Sequence, residues 1–205
     1  QSPVKSQICK PERGNIDFWT PEEYQIFSNH IRDNIELYTA FEILFYTGMR
    51  KGELLALTLN DIDFTQRTIS INKTLAYVDG DYINQPPKTQ KSNRTIDVPD
   101  FLLAEIKTYI SRLYKPDWEH RLFIRSRVWL GEAITRTCST IDLKPIRVHD
   151  LRHSHASMLI DLGANPLMIA ERLGHEDVKM TMNTYSHLFK SHQKEIIEKL
   201  EKIKL

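Results

Sequence analysis

Apolar residues recur every three to four positions along most of the chain, and this period predicts a mainly helical protein. The first helix has a clear start signal, in which Thr20 is the cap, Pro21 fits the first turn and Glu23 reaches back to the cap. Gly48 ends the second helix, and Arg50 follows on the turn that leads into the third. Helices are predicted over residues 21–31, 34–47, 53–57, 101–113, 130–141, 149–162, 166–174 and 177–185.

The pattern changes to alternation between the third and fourth predicted helices. Residues 61–64, 68–73 and 94–98 are rich in β-branched side chains and alternate apolar with polar positions, which predicts three short strands. Residues 79–81 are expected to form a turn, and Pro99 ends the last strand. The two patterns together predict an α+β fold that is mainly α, with a small three-stranded antiparallel sheet.

The size and composition favour one globular domain. The chain has 205 residues, of which 40% are hydrophobic and 27% are charged, enough for a substantial core. It holds neither an apolar run of membrane-spanning length nor a signal peptide, so we expect a cytoplasmic protein without a membrane partner. Cys9 and Cys138 are isolated, which disfavours a disulfide framework or a zinc knuckle. Because the first residue is Gln1, we expect a fragment of a longer protein, with an extended lead-in over 1–18 and a domain over 19–205.

The net charge is only +1, whereas a domain that binds nucleic acid is usually more basic. Charge is nevertheless uneven, since residues 121–155 hold seven arginines and lysines against three acids, a local balance of +4. An uneven distribution can focus a field on one surface, although an ordinary mixed surface has a similar balance. The candidates for contact with DNA phosphates are Lys91, Arg125, Arg127, Arg136, Lys144 and Arg147, and for each of them a solvated face is the alternative.

Arginine, histidine and tyrosine side chains stand in an order suited to holding and attacking a phosphodiester. His149 and Arg152 are three residues apart, so they project from one helical face and can reach one phosphate. Arg50 lies near a helix N-terminus, where backbone N–H groups also favour an anion. His175 follows a predicted helix end, and Tyr185 comes ten residues later. Each residue alone has an ordinary interpretation, such as an ion pair or core packing, and only the ordered set indicates a site.

A metal site is a competing interpretation of the histidines. His149 and His153 lie four residues apart on one helical face, as two ligands of a metal ion do. The HExxH pattern is absent and no third ligand stands at an obvious spacing, so no metal is expected, and a metal hydrolase that also uses His155 stays an alternative. No P-loop, glycine-rich dinucleotide turn or magnesium-binding acidic cluster is found, so no cofactor is expected.

Four stretches resemble the tyrosine recombinase (phage-type integrase) family, and within it they look most like integrases from bacterial phages and conjugative transposons. They are TGMRKGELLAL at 47–57, PPKTQKSNRTIDVP at 86–99, HDLRHSHASMLIDLGA at 149–164 and IAERLGHEDVKMTMNTYSHL at 169–188. The resemblance implies the catalytic-domain fold of that family. It also implies that residues 1–18 are the linker from an N-terminal DNA-binding domain, and that a tail helix over about 188–205 packs either on its own domain or on a neighbouring protomer.

The resemblance further implies the catalytic set Arg50, Lys88, His149, Arg152, His175 and Tyr185. Tyr185 would be the nucleophile, and because the free pKa of tyrosine is about 10, it needs help from a base, for which His149 is the candidate. Lys88 would be the general acid for the departing 5′ oxygen, with Lys91 as the other candidate lysine. Glu53 would orient neighbouring groups.

The implied activity is site-specific recombination, integration or excision of a mobile element, through a 3′-phosphotyrosyl DNA intermediate and without metal or ATP. The implied partners are double-stranded attachment-site DNA and three further copies in a tetramer on that DNA, formed from free monomers. Accessory DNA-bending or directionality factors are candidate partners, and a bacterial, nucleoid-associated location is expected. The alternatives are a type IB topoisomerase-like enzyme and a DNA-binding module without catalysis.

Overall fold

The computed structural model describes residues 17–87, 89–114, 119–186, 188–189 and 201. Helices and strands follow in the order α1 (Pro21–Ile31), α2 (Ile35–Thr47), α3 (Lys51–Ala56), β1 (Ile62–Asp63), β2 (Thr68–Ile71), β3 (Thr74–Val78), β4 (Asp81–Gln85), β5 (Arg94–Asp97), α4 (Asp100–Ile110), α5 (Trp129–Cys138), α6 (Asp150–Asp161) and α7 (Pro166–Leu173). Residues 178–186 form a further helical stretch, which carries Tyr185. The predicted fold class, mainly α with a small antiparallel sheet, is confirmed.

The start of α1 has the geometry that its sequence predicts. The Thr20 hydroxyl accepts a hydrogen bond from the Glu23 N–H at 3.2 Å, and the Glu23 carboxylate accepts one from the Thr20 N–H at 3.0 Å. This reciprocal pair satisfies two backbone donors that the helix itself leaves unbonded. Because the cap depends only on neighbouring residues, the sequence predicts it without any knowledge of tertiary contacts.

Helix α2 forms the centre of the domain, in contact with α1, α3, α4 and α6. Its side chains are buried on nearly every face, including Ala40, Phe41, Ile43, Leu44 and Phe45. A helix that is apolar all round belongs inside a core, and here the other helices cover it. The ends of α2 are therefore fixed relative to the rest of the domain.

Three strands form the predicted sheet in the order β1-β2-β5, all antiparallel, with Ile69 opposite Ile62 on one side and Ile96 on the other. A separate hairpin of β3 and β4 was not predicted; only its turn was. Asp79 and Gly80 both have positive φ, of 50° and 97°, which fits a two-residue type I′ turn. The Asp-Gly pair is the signal in the sequence that indicates such a hairpin.

A second, smaller apolar cluster joins α6, α7 and the 178–186 helix. Its buried members are Ala156, Ile160, Ile169, Leu173, Tyr185 and Leu188. This packing fixes the helix that carries Tyr185 against α6. The predicted tail helix falls almost entirely outside the described residues, and so does the lead-in up to residue 16. No helix in the described part of the chain is long and apolar enough to cross a membrane.

Candidate active site

Two helix ends and one helix start meet at a single point, and Arg152 holds them together. The Arg152 guanidinium donates to the carbonyl of Gly48, after the end of α2, at 2.9 Å, and to the carbonyl of Leu173, the last residue of α7, at 2.5 Å. Arg152 itself stands in the first turn of α6 and is 4% exposed. The contact places the turn before Arg50 beside the turn that contains His175.

Gly48 is required at this junction for two reasons. Its φ of 65° lies in the left-handed region, and a Cβ there would stand 2.6 Å from the His155 ring and 2.7 Å from a Leu173 methyl carbon. Only a residue without a side chain allows α2, α6 and α7 to approach this closely. The chain then reverses, and Arg50 becomes the N-cap of α3.

Glu53 is buried and holds two arginines by its carboxylate. Arg50 donates to it from its backbone N–H at 2.7 Å and from its guanidinium at 2.8 Å. Arg94 donates two further bonds, at 3.2 and 3.0 Å, and a third to the carbonyl of Arg172 at 2.8 Å. Burial alone would raise the pKa of Glu53, but the bonds and charges of Arg94 and Arg50 outweigh it and lower that pKa. Glu53 is thus a carboxylate at neutral pH, as its expected orienting role requires.

The site carries more positive charge than this one carboxylate offsets. Burial, and then Arg50 and Arg94, lower the pKa of Arg152 to about 9, which leaves its guanidinium charged at neutral pH. Burial, and then Arg152 and Arg50, lower the pKa of His175 to about 4. The Nδ1 of His175 is 2.8 Å from the Thr181 hydroxyl, which fixes the ring. The surplus of charge makes this corner a place for an anion.

Tyr185 is 3% exposed, and Arg152 lies close enough for its charge to act on the hydroxyl. Its hydroxyl is 2.6 Å from Nδ1 of His153, and the two ring centroids are 5.8 Å apart. Burial raises the pKa of Tyr185, and the charge of Arg152 opposes that rise. Sequence reasoning singled out Tyr185 but considered His153 only as a metal ligand. The four-residue spacing from His149 was the signal that both rings share one face of α6.

His149 caps the start of α6, with its ring edge-on to that of His153 at a centroid distance of 5.4 Å. Burial, and then Arg152, lower the pKa of His149. Unlike His153, it lines an open groove of about 1170 Å³ that also reaches Arg50. His149 and Arg50 therefore face the solvent side of the site.

The groove has a basic lining. Its cationic side chains are Arg50, Lys51, Arg127, Arg136 and Arg147, and its only carboxylate among the lining residues is that of Glu132. Three of the predicted DNA contacts, Arg127, Arg136 and Arg147, thus line one surface. Lys51 also lines it but was not predicted, because in the sequence it is only the neighbour of Arg50. The Lys51 ammonium donates to the Arg127 carbonyl at 3.0 Å.

Two other predicted DNA contacts are engaged elsewhere. Arg125 binds both carboxylate oxygens of Glu36, with its Nε 3.0 Å from the first, and Lys144 binds Asp17 at 2.6 Å. Neither lines the groove. Arg147 lines it while also donating to Asp150 at 2.8 Å. The sixth candidate, Lys91, donates to the carbonyl of Glu176 at 2.7 Å, next to His175.

Lys88 lies outside the described residues. Its sequence neighbours Pro87 and Thr89 both line a cavity of about 290 Å³ that Arg50 and His175 also line. Lys73, which sequence reasoning did not single out, lines the same cavity, and its ammonium is 2.5 Å from both carboxylate oxygens of Asp61. Lys73 is thus engaged in an ion pair with Asp61.

The third histidine of the metal interpretation is used for packing. The Nδ1 of His155 donates to the Phe45 carbonyl at 2.8 Å, and its Nε2 accepts from Arg172 at 3.0 Å. Burial, and then Arg172, lower the pKa of His155 to about 3, so it stays neutral. Within the described part of the chain, no three histidine, cysteine or acidic side chains are grouped as metal ligands. The residues of this corner are suited instead to holding an oxyanion beside a tyrosine hydroxyl.

The fold is that of tyrosine recombinase catalytic-domain structures. The chain belongs to the phage integrase family, whose model matches residues 18–192, and the resemblance inferred from the sequence is confirmed. It is 36% identical to the ICEBs1 integrase of Bacillus subtilis, an alignment that covers 92% of this chain and 55% of that protein. It is 30% identical to the integrase of Staphylococcus phage L54a, over 80% of this chain and 51% of that one. The chain thus spans about half the length of these relatives.

Solved structures agree on the fold. The Tn1549 transposon integrase, in complex with circular intermediate DNA, superimposes with a TM-score of 0.77 at 25% identity, covering 94% of this chain and 68% of that one. The catalytic domain of bacteriophage HP1 integrase gives a TM-score of 0.62 at 24% identity, covering 90% of this chain and 95% of that one. Both likenesses concern the fold of the described residues.

Proposed function

We propose that this chain is the catalytic domain of a site-specific DNA recombinase that integrates or excises a mobile element. The observation that carries the proposal is the position of the Tyr185 hydroxyl, which lies 2.6 Å from Nδ1 of His153 and near Arg152, a member of the cationic corner formed by Arg50, Arg94 and Arg152. A tyrosine in that position is suited to in-line attack on a phosphodiester held by the cations.

The phosphate is held by charge and by shape. Arg50 and Arg152 fork onto its non-bridging oxygens, and His175 adds a hydrogen bond to the same atoms. Glu53 keeps Arg50 in place through its two bonds at 2.7 and 2.8 Å. Such preorganised donors are a large catalytic contribution, and the loss of one lowers the rate by about 10²–10³.

The reaction conserves the phosphodiester bond energy. Tyr185 attacks phosphorus and forms a 3′-phosphotyrosyl link, while the 5′ oxygen leaves with a proton from a general acid, for which Lys88 is the candidate and Lys91 the second choice. The 5′ hydroxyl of another strand then attacks the link and releases Tyr185. Neither ATP nor a metal is needed for this exchange.

The partner is double-stranded DNA at an attachment site, with its backbone in the basic groove that contains Arg127, Arg136 and Arg147. The described complex of the Tn1549 integrase with DNA supports this choice of partner. Recombination of two duplexes calls for four copies on the DNA, assembled from monomers. The proposal also includes accessory bending or directionality factors as partners and a nucleoid location. A preceding DNA-binding domain, joined through residues 1–18, completes it.

The test is covalent trapping. The full-length protein is mixed, in the presence of EDTA, with a nicked half-site from the junction of its own mobile element, beside a Tyr185→Phe control. A protein–DNA band that resists denaturation and is absent from the control is the expected result. DNA binding without any such band would leave a DNA-binding module as the better account. Transfer of the cleaved strand to a second duplex separates a recombinase from a topoisomerase-like enzyme, which reseals only the strand that it cut.

A further inference from the structure

The nucleophile contacts one histidine of α6, and it is His153 rather than His149. The Tyr185 hydroxyl lies 2.6 Å from Nδ1 of His153, a short hydrogen bond between side chains 32 residues apart. His149 lines the open groove, and His153 does not. His153 therefore faces the tyrosine, whereas His149 faces the open groove.

The direction of this hydrogen bond sets the tautomer of His153. When the phenol donates, as the proton transfer requires, Nδ1 accepts and the ring proton stands on Nε2. Nδ1 is thus a lone pair aimed at the proton that must leave when the tyrosine attacks. A general base needs to be within hydrogen-bond reach of the proton that it removes, and 2.6 Å satisfies this condition.

We propose that His153 is the general base of the cleavage step and the general acid of the rejoining step. As the Tyr185 oxygen bonds to phosphorus, its proton passes to Nδ1 of His153, which becomes an imidazolium. When the incoming 5′ hydroxyl attacks the phosphotyrosyl link, the departing tyrosine oxygen takes that proton back, and the 5′ hydroxyl gives its own proton to the general acid of the cleavage step, candidate Lys88, which that step left deprotonated. This inference rests on the proposed function and divides the roles differently from the expectation from sequence, because His149 is left to donate to the phosphate.

The charges around His153 make its basicity depend on bound DNA. Burial, and then His149, lower the pKa of His153 to about 4, with Arg152 and Arg147 acting in the same direction and Asp150 against them. His175 also lies close enough to interact with it. A phosphodiester in the cationic corner offsets the arginine charges, which raises the proton affinity of His153. The base is therefore weak in the empty site and stronger once the substrate is bound.

The experiment uses the full-length protein and a half-site whose scissile 5′ oxygen is replaced by sulfur. Because a thiolate leaves without help from a general acid, the remaining pH dependence of cleavage reports the general base. Single-turnover cleavage is followed from about pH 5 to pH 9 for the wild type, His153→Asn and His153→Gln. Asn can place an oxygen near the position of Nδ1, so it keeps a hydrogen bond to Tyr185 but takes up no proton. His30→Gln changes an exposed histidine of α1 and is the matched control.

The wild-type rate is expected to rise with pH and then level off, where His153 has lost its proton. Both His153 variants are expected to cleave about 10²–10⁴-fold more slowly near neutral pH, with a rate that keeps rising as hydroxide increases. The His30 variant should follow the wild type, and thermal unfolding and DNA binding of all variants should be unchanged. A wild-type rate in His153→Asn would overturn the proton transfer and leave only a positioning contact. Faster cleavage in either variant would overturn it in favour of a restraint on Tyr185. Absence of cleavage by the wild type would instead count against the proposed function itself.

Discussion

Two polar clusters lie at α2, and they carry opposite charges. The cationic corner contains Arg50, Arg94 and Arg152 around the carboxylate of Glu53. The acidic pair consists of Glu42 and Glu105, whose carboxylates accept hydrogen bonds from the hydroxyls of Tyr24, at 2.7 Å, and Tyr38, at 3.1 Å. Each cluster places like charges close together, with Arg152, Glu53 and Glu42 buried and Arg50 and Glu105 partly exposed.

The two clusters relieve that repulsion in different ways. Burial is the main cause that raises the pKa of Glu42, to about 7; the Tyr24 bond opposes it and the charge of Glu105 adds to it. The acidic pair can therefore take up a proton. Arginine does not lose its proton in this range, so the cationic corner keeps its charge and is satisfied only by carbonyl groups, Glu53 and an incoming anion. A cluster that cannot neutralise itself is the one suited to bind phosphate.

The largest effect is expected from removing Arg94 from the cationic corner. Arg94→Met leaves the Glu53 carboxylate buried with Arg50 as its remaining partner, and breaking a buried pair in this way costs about 3–5 kcal/mol of unfolding free energy. Denaturant titration measures the loss. The double variant with Glu53→Gln is the control and should recover part of it. A loss below about 1 kcal/mol for Arg94→Met would show that the pair is not what holds this corner together.

A smaller effect of opposite sign is expected in the acidic pair. Glu42 is protonated in both states at low pH, and it ionises near 4.5 when unfolded but near 7 when folded. Its raised pKa therefore costs stability as pH rises between those values, by up to about 3 kcal/mol above pH 7. Glu42→Gln keeps the acceptor for Tyr24 and cannot ionise, so it should be more stable than the wild type at pH 8 and equal to it at pH 4.

Unfolding free energies at both pH values test this prediction. The exposed Glu171→Gln is the matched control, with no expected change. A Glu42→Gln variant that unfolds more easily at pH 8 would mean that the carboxylate is stabilised in place, and the contrast between the two clusters would fail.

The smallest effect is the stabilisation of the cationic corner by a simple anion. Inorganic phosphate at about five times its dissociation constant should raise the unfolding free energy by about 1 kcal/mol, measured against sodium chloride of equal ionic strength. Arg50→Gln should abolish the increase, because Arg50 lines both the groove and the neighbouring cavity. An undiminished increase in Arg50→Gln would place the anion elsewhere on the surface.

Local signals in the sequence account for most of what could be predicted. Caps and apolar periods depend on residues a few positions apart, and they placed α1, α2 and the helix ends near Arg50 and His175. The β3–β4 hairpin was missed because its strands are short and half exposed, and its best signal, Asp79-Gly80, was treated only as a turn.

Contacts across long stretches of chain could not be predicted in this way. Arg94 looks like an ordinary position in a short strand, yet its partner Glu53 lies 41 residues away. The sequence favours His149, which stands three residues before Arg152, whereas the contact of His153 with Tyr185 depends on the packing of α6 and the 178–186 helix in the second apolar cluster. The sequence alone thus predicts which residues form the ordered set, whereas the role of each residue within the site depends on tertiary contacts.

Arg152 also sets the order in which the site is completed during synthesis. It bonds to Gly48, made 104 residues earlier, and to Leu173, made 21 residues later, and Tyr185 emerges last of all. Since chains emerge from the ribosome N-terminus first, a chain that ends between residues 152 and 173 has its arginines but neither the closed corner nor the nucleophile. The proposed DNA-breaking chemistry is therefore withheld from any chain that stops before Tyr185, without a separate inhibitor.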